Sequence, residues 1–215
     1  MAHTILALDP SMGSTGFAYF VHAGQYPPSH GFFFGTIKTK GACTDFCTNY
    51  RKGIEQIRRL SVRVGDLPDI AAVIQETPPP VGQSAPGLFL IGALCGGWCL
   101  SRGLEPILVH PHTVKTLVGT GKKYDKSDIK VAVKEIVELN GLVPRRVDEG
   151  ALTNLDKLLT DEADALFLLF YLLYNRGEIE LKLPARFSLD KWLLKEGDGY
   201  QEGQAPDGGE ASQRD

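Results

Sequence analysis

The sequence has little of what a secreted or membrane-bound chain requires. It contains four cysteines in 215 residues, too few for a dense disulfide framework and in keeping with a reducing compartment. The longest uninterrupted apolar run, Ala165 to Tyr174, has ten residues, whereas a bilayer-spanning helix needs about 20. That run reads as a buried helix. Met1-Ala2-His3-Thr4 carries neither the basic stretch nor the apolar core of a signal peptide, so the expectation is a cytoplasmic protein with no membrane partner. A GxxxxGK[ST] phosphate loop is absent, since Lys123 rather than Ser or Thr follows Gly121-Lys122. No nucleotide cofactor is therefore expected.

What is present fits one sizeable α/β domain: 43% of residues are hydrophobic and 23% charged. The net charge of −3 hides an uneven distribution. Residues 196–215 hold six acids and one base, whereas 101–146 hold nine bases against five acids. The last segment is Gly, Glu, Asp, Gln and Ser with hardly any apolar residue. It is expected to be a disordered acidic tail over 196–215, after a folded domain over 1–190. The basic segment is where a polyanion would bind.

Three strand-like runs, His3 to Asp9, Thr15 to His22 and Gly31 to Lys38, follow one another with short links, as in an antiparallel meander. Asp45 to Val64 is helical, with Phe46, Tyr50, Ile54, Ile57 and Leu60 near helical spacing. Ile70 to Gln75 is a buried strand that stops at Glu76 against three prolines. A helix from Leu88 to Arg102, a fifth strand from Pro106 to His110, and helices over Lys126–Leu139 and Asp161–Arg176 complete the pattern, with Thr160 or Asp161 as the last N-cap. The expected fold class is α/β: a mixed five-stranded sheet, three antiparallel strands and then parallel strands, with helices on both faces. The cysteines form two i,i+4 pairs, Cys43/Cys47 and Cys95/Cys99. A four-thiolate zinc site would fit that spacing, but neighbours such as Phe46, Leu94 and Trp98 favour buried thiols.

Four acids stand out by position. Asp9 and Glu76 end apolar strands, and Asp161 and Asp164 open an apolar helix on one face, three residues apart. An ionised carboxylate next to a core is costly unless paired. A divalent cation could be the partner, because Mg²⁺ is held by carboxylates together with substrate phosphate. Two such ions about 4 Å apart can activate water against a phosphodiester. Between these acids, His112 to Lys126 combines glycines, which let backbone approach phosphate, with Lys115, Lys122, Lys123 and Lys126, which neutralise it.

Taken together, Ile5-Leu-Ala-Leu-Asp9-Pro10 with Thr15-Gly16, Ile74-Gln75-Glu76, the pair Lys115 and Lys126 eleven apart, and Asp161-Glu-Ala-Asp164-Ala165-Leu166 resemble the motifs of RuvC-type Holliday junction resolvases of the RNase H-like superfamily, in a phage-type version. The resemblance spans residues 4 to 176. It implies an RNase H-like fold and a crossover junction endodeoxyribonuclease that resolves four-way DNA junctions by paired symmetric nicks, leaving 5′-phosphate and 3′-hydroxyl ends. It implies two Mg²⁺ (or Mn²⁺) ions per active site on Asp9, Glu76, Asp161 and Asp164. Lys115 and Lys126 would serve both catalysis and DNA binding, and Lys122, Lys123 and Lys130 would hold flanking backbone. It further implies a homodimer acting on branched DNA, in a bacterial host's cytoplasm if phage-encoded. The small residues Gly92, Gly96 and Gly97 suit their helix either to supply the dimer seam or to pack closely against its own sheet. Two departures are visible: Ser11 stands where relatives usually carry glycine, and Pro78-Pro79-Pro80 occupies the loop where they often carry a stacking aromatic. Phe89 is a nearby aromatic, but its spacing assigns it to the helix core. The alternatives are a junction-binding protein that has lost cutting, or a nuclease acting broadly on branched DNA during phage genome processing. Asp9-Pro-Ser-Met-Gly-Ser-Thr-Gly16 also resembles the first phosphate loop of sugar kinases, which need two such domains around a nucleotide.

Overall fold

The structure is a computed structural model; it describes residues 3–11, 13–22, 31–40, 45–67, 69–77, 86–118, 126–147, 150–151, 155–187 and 189–193. The expected acidic tail and the triple proline lie outside these residues, as do Cys43, Lys122 and Lys123. Alternating small and branched apolar residues give β1 (His3–Pro10), β2 (Ser14–His22) and β3 (Phe32–Lys38), an antiparallel meander. β4 (Ile70–Glu76) and β5 (Pro106–Val109) add on the other side of β1 in parallel. This is the expected five-stranded arrangement. Two further strands of two residues each, β6 (Arg145–Arg146) and β7 (Gly150–Ala151), extend it beyond β3 to the order β5-β4-β1-β2-β3-β6-β7. Strands this short carry no periodicity to read in a sequence.

The pleat sorts the strands' side chains to two faces. Leu6, Leu8, Phe17, Tyr19 and Val73 pack against α1 (Phe46–Val64) and α2 (Pro86–Leu100). Ile5, Ala7, Ala18, Phe20 and Ile74 pack on the other face against α4 (Lys126–Asn140) and α5 (Thr160–Arg176), with α3 (Pro111–Leu117) and α6 (Leu189–Trp192) closing one side. Trp192 is fully buried among Phe167, Tyr171, Tyr174 and Phe187. No described helix is long and apolar enough to cross a membrane.

Several local expectations change. α1 begins at Phe46 with Asp45 as its N-cap, whose carboxylate accepts from the Thr48 amide at 2.9 Å. Phe46 and Tyr50 are 65% and 46% exposed; the buried face is Lys52, Gly53, Gln56, Leu60 and Val64 instead. α1 therefore buries Lys52 and Gln56 beside the expected Leu60, polar members that an apolar-spacing reading misses. Phe89 is 53% exposed and does not belong to the core. Cys47 is exposed whereas Cys95 and Cys99 are buried in the α1–α2 cluster, so these thiols do not face a common centre. Burial pushes Cys99 up to about 11, the nearby Arg102 pulling the other way, and pushes Cys95 higher still. Part of the basic segment, to which the sequence pattern assigns no element, is α3, anchored by buried Val114 and Leu117. The N-cap position of α5 is Leu159 rather than Thr160 or Asp161.

Candidate nuclease site

The four acids come to one end of the sheet by three separate devices. Parallel register pairs Leu8 with Gln75, so Asp9 and Glu76 occupy the next positions of neighbouring strands. Strand alternation puts Asp9 on the face of Ile5 and Ala7, and Glu76 on that of Ile74, the face covered by α5. The third device is Gly16, the cross-strand partner of Asp9. A Cβ placed on Gly16 would lie 2.0 Å from the Asp161 carbonyl oxygen. The first turn of α5 thus rests directly on the β2 backbone beside Asp9, and only glycine permits it. Asp164 follows Asp161 by three residues and shares its helix face.

Asp9 is buried, whereas Glu76, Asp161 and Asp164 are half-buried. Among the described residues these acids do not form a set of three ligand atoms within 4.8 Å of one another. Backbone placement brings them together without a closed ligand shell. The donors are all hard oxygens, three Asp and one Glu, the set that suits Mg²⁺ or Mn²⁺ rather than softer metals.

Supporting residues not singled out in the sequence surround this end. Ser14 donates its hydroxyl hydrogen bond to Asp161 Oδ2. The turn carrying Ser14 is closed by Ser11, whose amide and hydroxyl both donate to the Ser14 carbonyl, at 2.9 and 2.6 Å. The departure at Ser11 therefore has a structural role of its own. Beneath the turn, Gln56 is 1% exposed. It accepts from the Thr15 hydroxyl and donates to the Ser11 carbonyl and Thr39 Oγ1, each at 3.3 Å. The only sequence signal for this prop is a glutamine on the buried stripe of a helix otherwise read by its apolar residues. Within α5, Glu162 turns back to accept from the Leu159 amide at 3.0 Å and takes a two-pronged ion pair from Arg146, at 3.0 and 2.9 Å.

The lysines are only partly placed. The backbone puts Lys115 in α3, which follows the strand end where Val109 pairs with Glu76, and Lys126 at the start of α4. Lys130 is half-buried on α4. A cationic strip that the sequence reading missed lies elsewhere. Lys38, Arg58, Arg59 and Arg63 line a groove of about 550 Å³ between α1 and β3. Sharing Lys38 and Arg63, a second groove of about 400 Å³ continues past Arg146 and Lys157 to Leu159 and Glu162 at the start of α5. Its bases come from four separate stretches of chain, so no basic run advertises it.

On the opposite flank α2 has no charged residue among its fifteen. Phe89 and Leu100 are 53% and 64% exposed, and with Gly92, Gly96 and Ile107 they border an apolar groove of about 640 Å³ between α2 and β5. Gln75 lines it too; its amide donates to the Gly92 carbonyl at 2.9 Å while its buried Oε1 has no partner.

No family model and no curated protein matches the sequence. Solved structures do match in three dimensions. Thermus thermophilus RuvC in complex with a Holliday junction substrate superposes with a TM-score of 0.53 at 13% identity, over 84% of this chain and 99% of that one. A second Thermus thermophilus RuvC structure gives 0.48 at 15% identity, with the same coverage. At such identities the likeness is one of architecture, and it agrees with the strand order and helix placement above: the chain has the RuvC-like, RNase H-like α/β fold.

Proposed function

We propose that this chain is a divalent-metal-dependent endodeoxyribonuclease that resolves four-way DNA junctions by paired symmetric nicks, leaving 5′-phosphate and 3′-hydroxyl ends. One observation carries the reading: Asp9, Glu76, Asp161 and Asp164 arrive from two strands and a helix at one end of a RuvC-like sheet. Asp9, Glu76, Asp161 and Asp164 would hold two Mg²⁺ or Mn²⁺ ions. Bound there, the ions supply an activated water and charge neutralisation for in-line attack on a phosphodiester.

The protein's own groups do the remaining work. Ser14 fixes the rotamer of Asp161, and Gln56 holds the turn that carries Ser14. Lys115 and Lys126 would steady the scissile phosphate and the charge developing on it. Lys122, Lys123 and Lys130 would grip flanking backbone. The cationic strip from Arg58 to Lys157 would carry a DNA arm away from the cutting end.

A four-way junction has two-fold symmetry, so two opposed nicks call for two sites related the same way. The uncharged α2 supports a homodimer: a helix that is apolar all round is ordinarily buried, yet this one leaves Phe89 and Leu100 in solvent. A Cβ at Gly97 would meet nothing and one at Gly96 only Gln75 Oε1 at 4.0 Å, so a partner helix could approach closely.

The test is cleavage of a synthetic four-way junction with Mg²⁺, beside flaps, forks and linear duplex. Wild type should nick opposed strands of the junction. Asp9→Asn should lose at least about a thousandfold in rate while retaining binding, as removal of a group essential to the chemical step does. Undiminished cutting by the Asp9→Asn protein removes that residue from the site. Preferential cutting of flaps would move the substrate to branched DNA at large.

A further inference from the structure

We infer that His3, His22 and Glu178 form a second metal site, for a transition ion of the Zn²⁺ type, at the end of the sheet opposite the nuclease acids. The three side chains come from three elements. His3 opens β1 and His22 closes β2, and they are the outermost cross-strand pair of the two strands. Side chains so paired stand about 5 Å apart at Cβ. Their rings stack with centroids 4.9 Å apart and planes 11° from parallel. By alternation both imidazoles share the α5 face with Ile5 and Phe20.

The third group is aimed there by the end of α5. That helix has 17 residues and rises about 25 Å, which matches the roughly 26 Å length of an eight-residue strand such as β1. Its first turn therefore lies at Asp9 and its exit at His3. Gly177 adopts a left-handed φ of 62°, and the Gly177 and Glu178 amides both return to the last helical carbonyls, at 3.2 Å each. This hooks Glu178 toward the imidazoles.

The ligand atoms of the three residues lie within 4.8 Å of one another, all half-buried. A tetrahedral ion with bonds near 2.0 Å wants its ligands ~3.3 Å apart, and His3 Nε2 already stands 2.9 Å from Glu178 Oε2. The other carboxylate oxygen accepts from Arg176 Nε at 3.2 Å, an outer contact that orients a ligand without using the coordinating atom. The His3–Glu178 ion pair alone leaves His22 unexplained. Its described contacts are ring contacts with His3 and Phe20, with no hydrogen bond. Two imidazoles and one carboxylate with room for water make a set that favours Zn²⁺, Co²⁺ or Ni²⁺ over Mg²⁺. The nitrogen donors distinguish this site from the all-oxygen nuclease end.

Co²⁺ is the probe. The full-length protein, in excess Mg²⁺ to occupy oxygen sites, should take up one equivalent of Co²⁺ with the visible ligand-field bands of low-coordinate cobalt, and Zn²⁺ should abolish them. His22→Phe and Glu178→Gln should each weaken Co²⁺ binding by more than about 100-fold, whereas Asp161→Asn should leave it unchanged. Circular dichroism in EDTA checks that the variants fold. His3→Gln serves as a second ligand variant should either fail. Absent bands, bands that survive in both ligand variants, or an intense near-ultraviolet thiolate band marking cysteine as the ligand would each overturn the assignment.

Discussion

Gly16 carries more of the candidate site's geometry than its size suggests. Facing Asp9 across the β1–β2 ladder and lying under the Asp161 carbonyl, it is the point where helix and sheet meet. A methyl group there would meet backbone rather than a yielding side chain, so the helix must move. Gly16→Ala should cost about 1–3 kcal/mol in urea unfolding, the usual range for an overpacked contact. Junction cleavage should fall with it, because the shift displaces Asp161. Wild-type stability and rate in that variant would mean that α5 is not seated on β2 as described. The acids and the strand ends were readable in the sequence, since each breaks an otherwise apolar pattern, and Thr15-Gly16 stood out only through the family resemblance. Ser14 and Gln56 were not, because a hydrogen bond between residues 147 or 41 positions apart leaves no local spacing to detect.

Among the elements, α2 is the one whose sequence and surroundings disagree. Its residues call for burial on every side, and the domain covers only part of it. Phe89 and Leu100 stand exposed beside the apolar groove. On the proposed homodimer, Phe89→Asp should shift the light-scattering mass from that of two chains to the 23.5 kDa of one. The single chain should lose paired nicking while remaining folded, the substituted side chain being in solvent already. An unchanged mass would place the dimer contact elsewhere. The five longer strands and four long helices were legible because each is an apolar run or an apolar period bounded by turn residues. α3 was hidden by glycines and lysines on its C-terminal side, and β6 and β7 by their brevity. The exposure of Phe46, Tyr50 and Phe89 could not be foreseen, because periodicity says which residues share a face and not whether anything packs on it.

At the scale of the whole molecule, the end proposed to cut is the tip of the core. Asp161 and Asp164 sit at the head of a helix whose residues from Ala165 to Leu173 are all buried, and Arg146 clamps Glu162 between them. Regions that open on their own are those with few buried apolar contacts, and this helix is the reverse. Among the described residues, the helix that carries Asp161 and Asp164 offers no hinge of its own, so on the proposed function the give must come from the nucleic acid, whose strands splay to reach a fixed anvil. Nor is α5 a soft spot that would fail before the rest of the described core. Heating should therefore extinguish nicking and the aromatic circular dichroism signal together, at one midpoint, rather than silencing the enzyme some degrees before it melts.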